Sequence, residues 1–249
     1  MIFEICIDSV EGALAAQAAG AQRVELCDNL VEGGTTPSLG MLQVVRRRIN
    51  LGVHVIIRPR GGDFYYSPAE FEVMQQDILA ARQAGADGVV IGLLNLDGTV
   101  DVERTRALVA LARPLKVTFH RAFDLSRDPA ESLEAICSLG IERVLTSGQQ
   151  ADCLAGLECI TRLVQQAGER TIVMPGGGIT PANAAQIAAA SRVKEMHFAA
   201  LQPAESPMIH RNRGCFMGSP YQPDEYRLSV TSEAEIRAVM QAARSGQGQ

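Results

Sequence analysis

Two segments near the start of the sequence each place a glutamate two residues before a cysteine. They pair Glu4 with Cys6 and Glu25 with Cys27, and an aliphatic residue separates the two members in both cases. Because alternate residues of a β-strand point to one face, each glutamate shares a face with its cysteine if these segments are strands. A carboxylate placed in this way can abstract a proton or, with a histidine, bind a divalent ion. We therefore take Glu4 and Glu25 as candidate catalytic residues.

A second set of residues could recognise an anion. Arg58 and Arg60 flank a proline, and His120 and Arg121 are adjacent in the chain. Guanidinium groups bind phosphate and carboxylate through paired hydrogen bonds. His120 could act as a general acid or base, since an imidazole ordinarily titrates near neutral pH. With His197, these residues predict a pocket for a small phosphorylated or carboxylated molecule, and isomerase or lyase chemistry would fit it.

Two more segments could complete this pocket. Ser147 lies in a Thr-Ser-Gly sequence without the pattern of a nucleophile elbow, so we interpret its hydroxyl as pocket lining. Gly177 is the middle of three glycines that precede Thr180 and Pro181, a pair typical of a helix start. Backbone N–H groups at such a place can bind a phosphate, and a simple tight turn is the alternative.

The spacing of β-branched segments indicates the elements that must hold these residues. Eight such segments begin at residues 2, 23, 53, 88, 116, 143, 171 and 195, with alanine-rich amphipathic segments between them. The mean step of about 28 residues matches one strand-plus-helix unit of a TIM barrel. We predict an α/β chain that forms a single (βα)8 TIM barrel over residues 1–249, rather than an open doubly wound sheet. Active sites of this fold lie where the strands end.

In such a barrel the inward faces of the first strands would be unusually polar. Ile5 and Leu26 should pack on the helices, which turns the neighbouring glutamates and cysteines inward. Buried carboxylates need compensation, and we expect Arg58 and Arg60 to supply it. A buried ion-pair network that only fixes strand register is the alternative to a ligand pocket.

Composition narrows the function classes. The 28 acidic and 23 basic residues give a net charge of −5, and neither a signal peptide nor a membrane span is evident, so we predict no nucleic-acid or membrane partner. Of the basic residues 21 are arginine. The two lysines, Lys116 and Lys194, stand at strand starts, away from the site, which argues against Schiff-base chemistry.

Residues 201–230 interrupt the alternation. Four prolines and no helical periodicity predict a long loop that serves as a lid or as a contact in a homodimer. A last helix is expected at 232–244, with a frayed tail at 245–249.

Several long motifs resemble the CutC family. They are RVELC at 23–27, EGGTTPS at 32–38, IIRPRGGDF at 56–64, TFHRAFD at 118–124, VLTSG at 144–148 and SPM at 206–208. The similarity covers nearly the whole chain. It implies a TIM barrel, a cytoplasmic location and a role in copper homeostasis, without a defined reaction, so whether the protein is an enzyme stays open.

The resemblance also implies a copper ion as ligand and cysteines near the strand ends as its site. Cys6 and Cys27 fit, because Cu(I) prefers thiolates and both lie at equivalent heights of neighbouring predicted strands. His120 or His197 could add a third donor. The alternative is that these cysteines pack as small apolar residues.

Overall fold

The structure, a computed structural model, describes residues 1–218 and 224–248. Within them, eight parallel strands form one sheet in the order β7-β6-β5-β4-β3-β2-β1-β8. The strands are β1 (Ile2–Ile7), β2 (Arg23–Leu26), β3 (Gly52–Ile56), β4 (Gly88–Ile91), β5 (Lys116–Phe119), β6 (Arg143–Thr146), β7 (Ile172–Pro175) and β8 (Glu195–Phe198). A parallel bridge between Gly176 and His197 joins the two edges. This closure confirms the predicted TIM barrel.

Helices alternate with the strands and cover the outside of the barrel. They are α1 (Val10–Ala19), α2 (Leu39–Arg48), α3 (Pro68–Gln83), α4 (Val102–Ala112), α5 (Pro129–Ser138), α6 (Leu157–Ala167), α7 (Ala184–Ser191) and α8 (Glu233–Gln247). Local sequence sets many of their starts. Ser67 caps α3 in a reciprocal capping box with Glu70, and Asp128 caps α5 ahead of a proline. None of the described helices is long and apolar enough to cross a membrane.

Strand register brings the polar segments of the first two strands together. Cys6 pairs with Glu25, and the backbone N–H of Cys27 donates to the carbonyl of Ile7 at 2.8 Å. Ile5 and Leu26 join the hydrophobic core that includes the helices, as expected. Glu4, Glu25 and both cysteines are buried on the opposite, inner face.

Element boundaries differ from the predictions in two places that affect the site. Strand β3 ends at Ile56, so its alternation does not extend to Arg60. Helix α7 begins at Ala184 rather than at Pro181, because Asn183 folds back and accepts the Thr180 N–H through its side chain. The three glycines at 176–178 therefore form a turn that does not lead directly into a helix.

The C-terminal helix is longer than expected. Helix α8 continues to Gln247, which corrects the predicted frayed tail for residues 245–247, while residue 249 lies outside the described part. Gly246 explains the extension: it is buried, and a β-carbon there would lie 2.2 Å from the carbonyl oxygen of Ala185. Close contact with α7 therefore keeps this turn helical.

Residues 201–231 form what we call the arm. Its ends are strands β9 (Leu201–Glu205) and β10 (Arg227–Thr231), which pair antiparallel. The expected loop is thus bounded by a two-stranded sheet, and Pro203 is tolerated there because both strands are edges. Residues 219–223, including Tyr221 and two of the prolines, lie outside the described residues.

Candidate functional site

A cavity of about 710 Å³ opens at the C-terminal ends of the barrel strands. Seven of the predicted residues line it: Cys6, Glu25, Arg58, His120, Arg121, Gly177 and His197. Four others, Glu4, Cys27, Arg60 and Ser147, do not belong to its wall. The strand-end location agrees with the place where this fold carries its sites.

Cys6, Glu25 and Cys27 form a compact cluster, of which Cys6 and Glu25 face the cavity. The two sulfur atoms lie 3.8 Å apart, and the Cys27 sulfur lies 3.5 Å from Oε2 of Glu25. One ligand atom from each residue falls within 4.8 Å of the others, so the three side chains could hold a metal ion. Gly34 makes room for the cluster, because a β-carbon there would lie 3.2 Å from the Cys27 sulfur.

The cluster provides one thiolate near neutral pH. The hydrogen bond with Cys27 lowers the pKa of Cys6 to about 6, with help from His197 and against the effect of burial. The same sulfur contact and burial raise the pKa of Cys27. Burial also raises the pKa of Glu25 to about 8. At neutral pH the cluster therefore combines a thiolate, a thiol and a largely protonated carboxyl group.

His197 connects this cluster to the barrel interior. Its Nδ1 lies 2.8 Å from Oε1 of Glu4, and its Nε2 lies 3.6 Å from Oε2 of Glu25. Burial works to lower the pKa of His197, but Glu25, Cys6 and Glu4 together raise it. Burial likewise works to raise the pKa of Glu4, yet Arg23 and His197 lower it overall. Glu4 and His197 are therefore an ion pair beneath the cysteines.

The expected compensation of the glutamates by Arg58 and Arg60 is wrong. Glu4 instead pairs with Arg23, which also pairs with Glu195, and Arg143 lies 2.7 Å from Glu195. The signal for Arg23 was present in the sequence, because it shares the parity of Glu25 and Cys27 along β2.

Arg58 and Arg60 have structural roles. Arg58 lines the cavity but donates to the backbone carbonyls of Glu32, Gly34 and Gly62 at 2.7, 2.7 and 2.9 Å, which ties two loops together. Arg60 points away from the cavity and pairs with Glu70 and Asp63 at 2.6 and 3.0 Å. Sequence alternation misplaced Arg60 because β3 ends four residues before it.

His120 is a neutral residue rather than a group that titrates near pH 7. Burial, reinforced by Arg58, lowers the pKa of His120 to about 3. Its Nδ1 accepts the Ala122 N–H at 3.1 Å, which places the ring proton on Nε2. That nitrogen is buried without a partner among the described residues. The ring fits only because residue 92 is glycine, since a β-carbon there would lie 2.4 Å from it.

Arg121 is fixed at the cavity wall by two neighbours. Its Nε donates to Asp124 at 2.7 Å, and its Nη2 donates to Ser147 Oγ at 2.8 Å. Asp124 also accepts the Ser147 N–H and hydroxyl, so it orients Arg121 and joins its own segment to the loop after β6. Ser147 is fully buried behind this pair, which explains why it does not line the cavity. The sequence predicted Arg121 as a pocket residue, but it did not predict that Asp124 and Ser147 hold its side chain in place.

Comparison with known proteins agrees with the resemblance of the sequence motifs to the CutC family, over nearly the whole chain. The CutC family profile matches residues 1–202. The chain is 52% identical over 241 residues to a CutC protein of Chromobacterium violaceum, with 97% of each chain covered. It is 49% identical over 244 residues to a human protein named copper homeostasis protein cutC homolog, with 98% of this chain and 89% of the human one covered.

A solved structure agrees with the sequence comparison. The CutC protein of Streptococcus agalactiae superposes with a TM-score of 0.76 at 34% identity, over 80% of this chain and 98% of that one. Fold, motifs and long alignments thus agree, and the chain belongs to the CutC family.

Proposed function

We propose that this protein binds Cu(I) through Cys6 and Cys27 and takes part in copper homeostasis. The observation that carries the proposal is the 3.8 Å separation of the two sulfur atoms, of which that of Cys6 faces the cavity. Cu(I) prefers thiolate ligands, and the cluster already provides one thiolate near neutral pH. The name of the human relative supports the same role.

The surrounding residues favour binding of a soft metal. Glu25 lies beside the Cys27 sulfur and could act as a third ligand through a carboxyl oxygen. The imidazolium of His197 stabilises a nearby negative charge, so a thiolate there is tolerated despite burial. A cytoplasmic location, where thiols stay reduced, is part of this proposal.

A competition titration tests the copper site. Reduced protein is titrated with Cu(I) against a chromogenic chelator, and the Cys6→Ser, Cys27→Ser double variant should bind about 100-fold more weakly because both soft ligands are gone. A Cys137→Ser, Cys159→Ser variant is the control, since these cysteines are half-buried on the outer helices. Equal affinity of the double variant and wild type would refute the site.

The size of the cavity favours a second candidate function. A volume of about 710 Å³ exceeds what a bare ion needs and lies in the range of small-molecule pockets. We propose that the cavity also takes a small phosphorylated or carboxylated molecule, and isomerase or lyase chemistry is the class of reaction it would suit. Glu25 fits an acid role better than Glu4, because Glu4 is fully buried and paired with Arg23.

A thermal-shift screen tests this second candidate. Sugar phosphates and short carboxylic acids, added well above a typical metabolite affinity, should raise the melting temperature if one of them binds the folded state. Absence of any shift across the panel would count against the candidate while leaving the copper proposal intact.

We also propose that two copies of the chain associate through the arm. Both of its strands are largely exposed, and a two-stranded sheet is weakly stable by itself. Large apolar side chains, Ile209, Phe216 and Met217, are exposed along it. A second copy that covers them would explain both features.

A further inference from the structure

We infer that Arg121 is the anchor for the anionic group of a small organic ligand, with Gly177 and Gly178 as its partners at the cavity wall. This inference rests on the second candidate function above. The ligand class is a phosphate monoester or a carboxylate attached to an apolar body.

The first argument is the preorganisation of Arg121. Two of its nitrogens are committed, Nε to Asp124 and Nη2 to Ser147, so the plane of the guanidinium is fixed. Its Nη1 makes no hydrogen bond within residues 1–218 and 224–248. The side chain is 44% exposed although its base is clamped. A rigid donor with a free N–H group at a cavity wall binds an anion without a large loss of side-chain entropy.

The second argument is that Asp124 does not compete with a ligand. Both of its oxygens are engaged by the end of β6 and the loop that follows it, through the Thr146 hydroxyl at 2.5 Å, the Ser147 N–H at 3.0 Å and the Gln149 N–H at 3.2 Å. Hydrogen-bond donors of the protein thus stabilise the negative charge of the Asp124 carboxylate. An incoming anion therefore meets the outer edge of the guanidinium rather than an unsolvated carboxylate.

The loop that carries these donors is held in an unusual conformation. Gln149 has a φ of 58°, in the left-handed region that residues other than glycine rarely adopt. Its side-chain amide donates to the carbonyls of Phe123 and Ser126 at 3.2 and 2.7 Å, which compensates for the strain. Strain that is retained in this way is concentrated at binding and catalytic sites.

The glycine turn lies directly beside the free edge of Arg121. A β-carbon built at Gly177 would lie 3.4 Å from Nη1, so a side chain at this position would crowd the space. Both Gly177 and Gly178 line the cavity, and the backbone N–H of Gly178 has no acceptor in the described part of the chain. Unpaired backbone N–H groups next to an arginine are suitable donors for phosphate or carboxylate oxygens.

The rest of the wall determines what the anion is attached to. Two buried polar side chains, Arg58 and His120, each keep one nitrogen without a partner among the described residues. Around them the wall is largely apolar, formed by Leu30, Ile56, Phe64, Leu145, Ile179 and Phe198. A ligand with an anionic head and an apolar or aromatic body matches this lining.

Calorimetric titration of copper-free protein tests the inference. The probes are phenyl phosphate, benzoate and phenol, which share a ring and differ in the head group. We expect wild type to bind at least one of the two anions and to bind phenol more weakly. Arg121→Gln should weaken anion binding about tenfold or more through loss of a charge-assisted contact, and Arg121→Lys should retain part of the affinity.

Matched variants separate the possible outcomes. Arg60→Gln removes an arginine outside the cavity and should bind within about twofold of wild type. Circular dichroism checks that each variant is folded. If wild type binds an anion and folded Arg121→Gln binds it equally well, the inference fails while the cavity proposal stands. If wild type binds neither anion, both fail.

Discussion

At the scale of single residues, the alternation of side chains predicted which face a residue lies on only within the bounds of a strand. It placed Glu4, Cys6 and Glu25 inward, where the structure buries them. It failed for Arg60, which follows the end of β3. It also could not foresee that His120 would be neutral, because burial by residues distant in sequence sets that pKa. The sequence therefore predicted the positions of the residues on the strands better than their protonation states.

The titration of Cys6 gives a test at this scale. With its pKa lowered to about 6 by the hydrogen bond with Cys27, Cys6 should ionise well before the buried Cys27 and Cys153, whose pKa values are raised. Ultraviolet thiolate absorbance of the metal-free protein should show one step near pH 6. Cys6→Ser should lack this step and Cys159→Ser should keep it. A first step only above pH 8 in wild type would contradict the expectation.

His120 gives a second test, in the pH dependence of stability. Its pKa falls from 6.5 to about 3 on folding, so the unfolded chain binds more protons between these values. This residue alone should therefore reduce the free energy of unfolding by up to about 1.4 kcal/mol per pH unit as the pH falls below 6.5. Glu25 contributes with the opposite sign, because its raised pKa makes stability fall as pH rises from 4.5 to 8.

Comparing variants isolates the contribution of His120 to the pH dependence of the unfolding free energy. Urea unfolding is measured between pH 6 and pH 4.5 for wild type, His120→Gln and the exposed control His210→Gln. The slope of the unfolding free energy against pH should be smaller for His120→Gln and unchanged for His210→Gln. An identical slope in all three would mean that His120 does not stay neutral.

At the scale of elements, local signals predicted much of the barrel. Capping residues and prolines fixed the starts of α3 and α5, and β-branched segments fixed the order of the strands. Elements that depend on distant partners were missed. The pairing of β9 with β10 joins residues more than twenty positions apart, and the last turn of α8 depends on contact with α7. Neither has a periodic signature in its own segment.

The end of α8 can be tested directly. Gly246→Ala should destabilise the protein by about 1–3 kcal/mol, because the new methyl group meets the carbonyl of Ala185. Gly248→Ala is the control, since nothing lies within 4 Å of a β-carbon there. Urea unfolding measures both. If Gly246→Ala were as stable as its control, the last turn would be frayed after all.

At the scale of the whole molecule, the chain divides into a barrel and an arm that extends from it. The family profile ends at residue 202, the second residue of β9. Helix α8 then returns to pack against α7 and α1 and completes the ring of helices. Sequence predicted the barrel because its units repeat, whereas the arm has no repeat to predict from.

The proposed homodimer belongs to this scale. Light scattering coupled to size exclusion should give twice the chain mass of 26.7 kDa for wild type. The Ile209→Glu, Phe216→Glu variant should give a single chain, because charges replace the apolar side chains of the arm. As a control, Leu96→Glu changes an exposed leucine outside the arm. A monomeric wild type would exclude this association.

The ion pair between Glu4 and His197 has a consequence for biosynthesis. Its two residues are separated by 193 positions, one in the first strand and the other in the last. Both cysteines leave the ribosome within the first 27 residues, long before the imidazolium that stabilises their thiolate has been translated. A nascent chain therefore carries two unprotected thiols without their electrostatic partner. The cluster of Cys6, Glu25 and Cys27 gains its imidazolium neighbour only when β8 closes the barrel, so the proposed Cu(I) site would acquire its full electrostatic support only after synthesis and folding are finished.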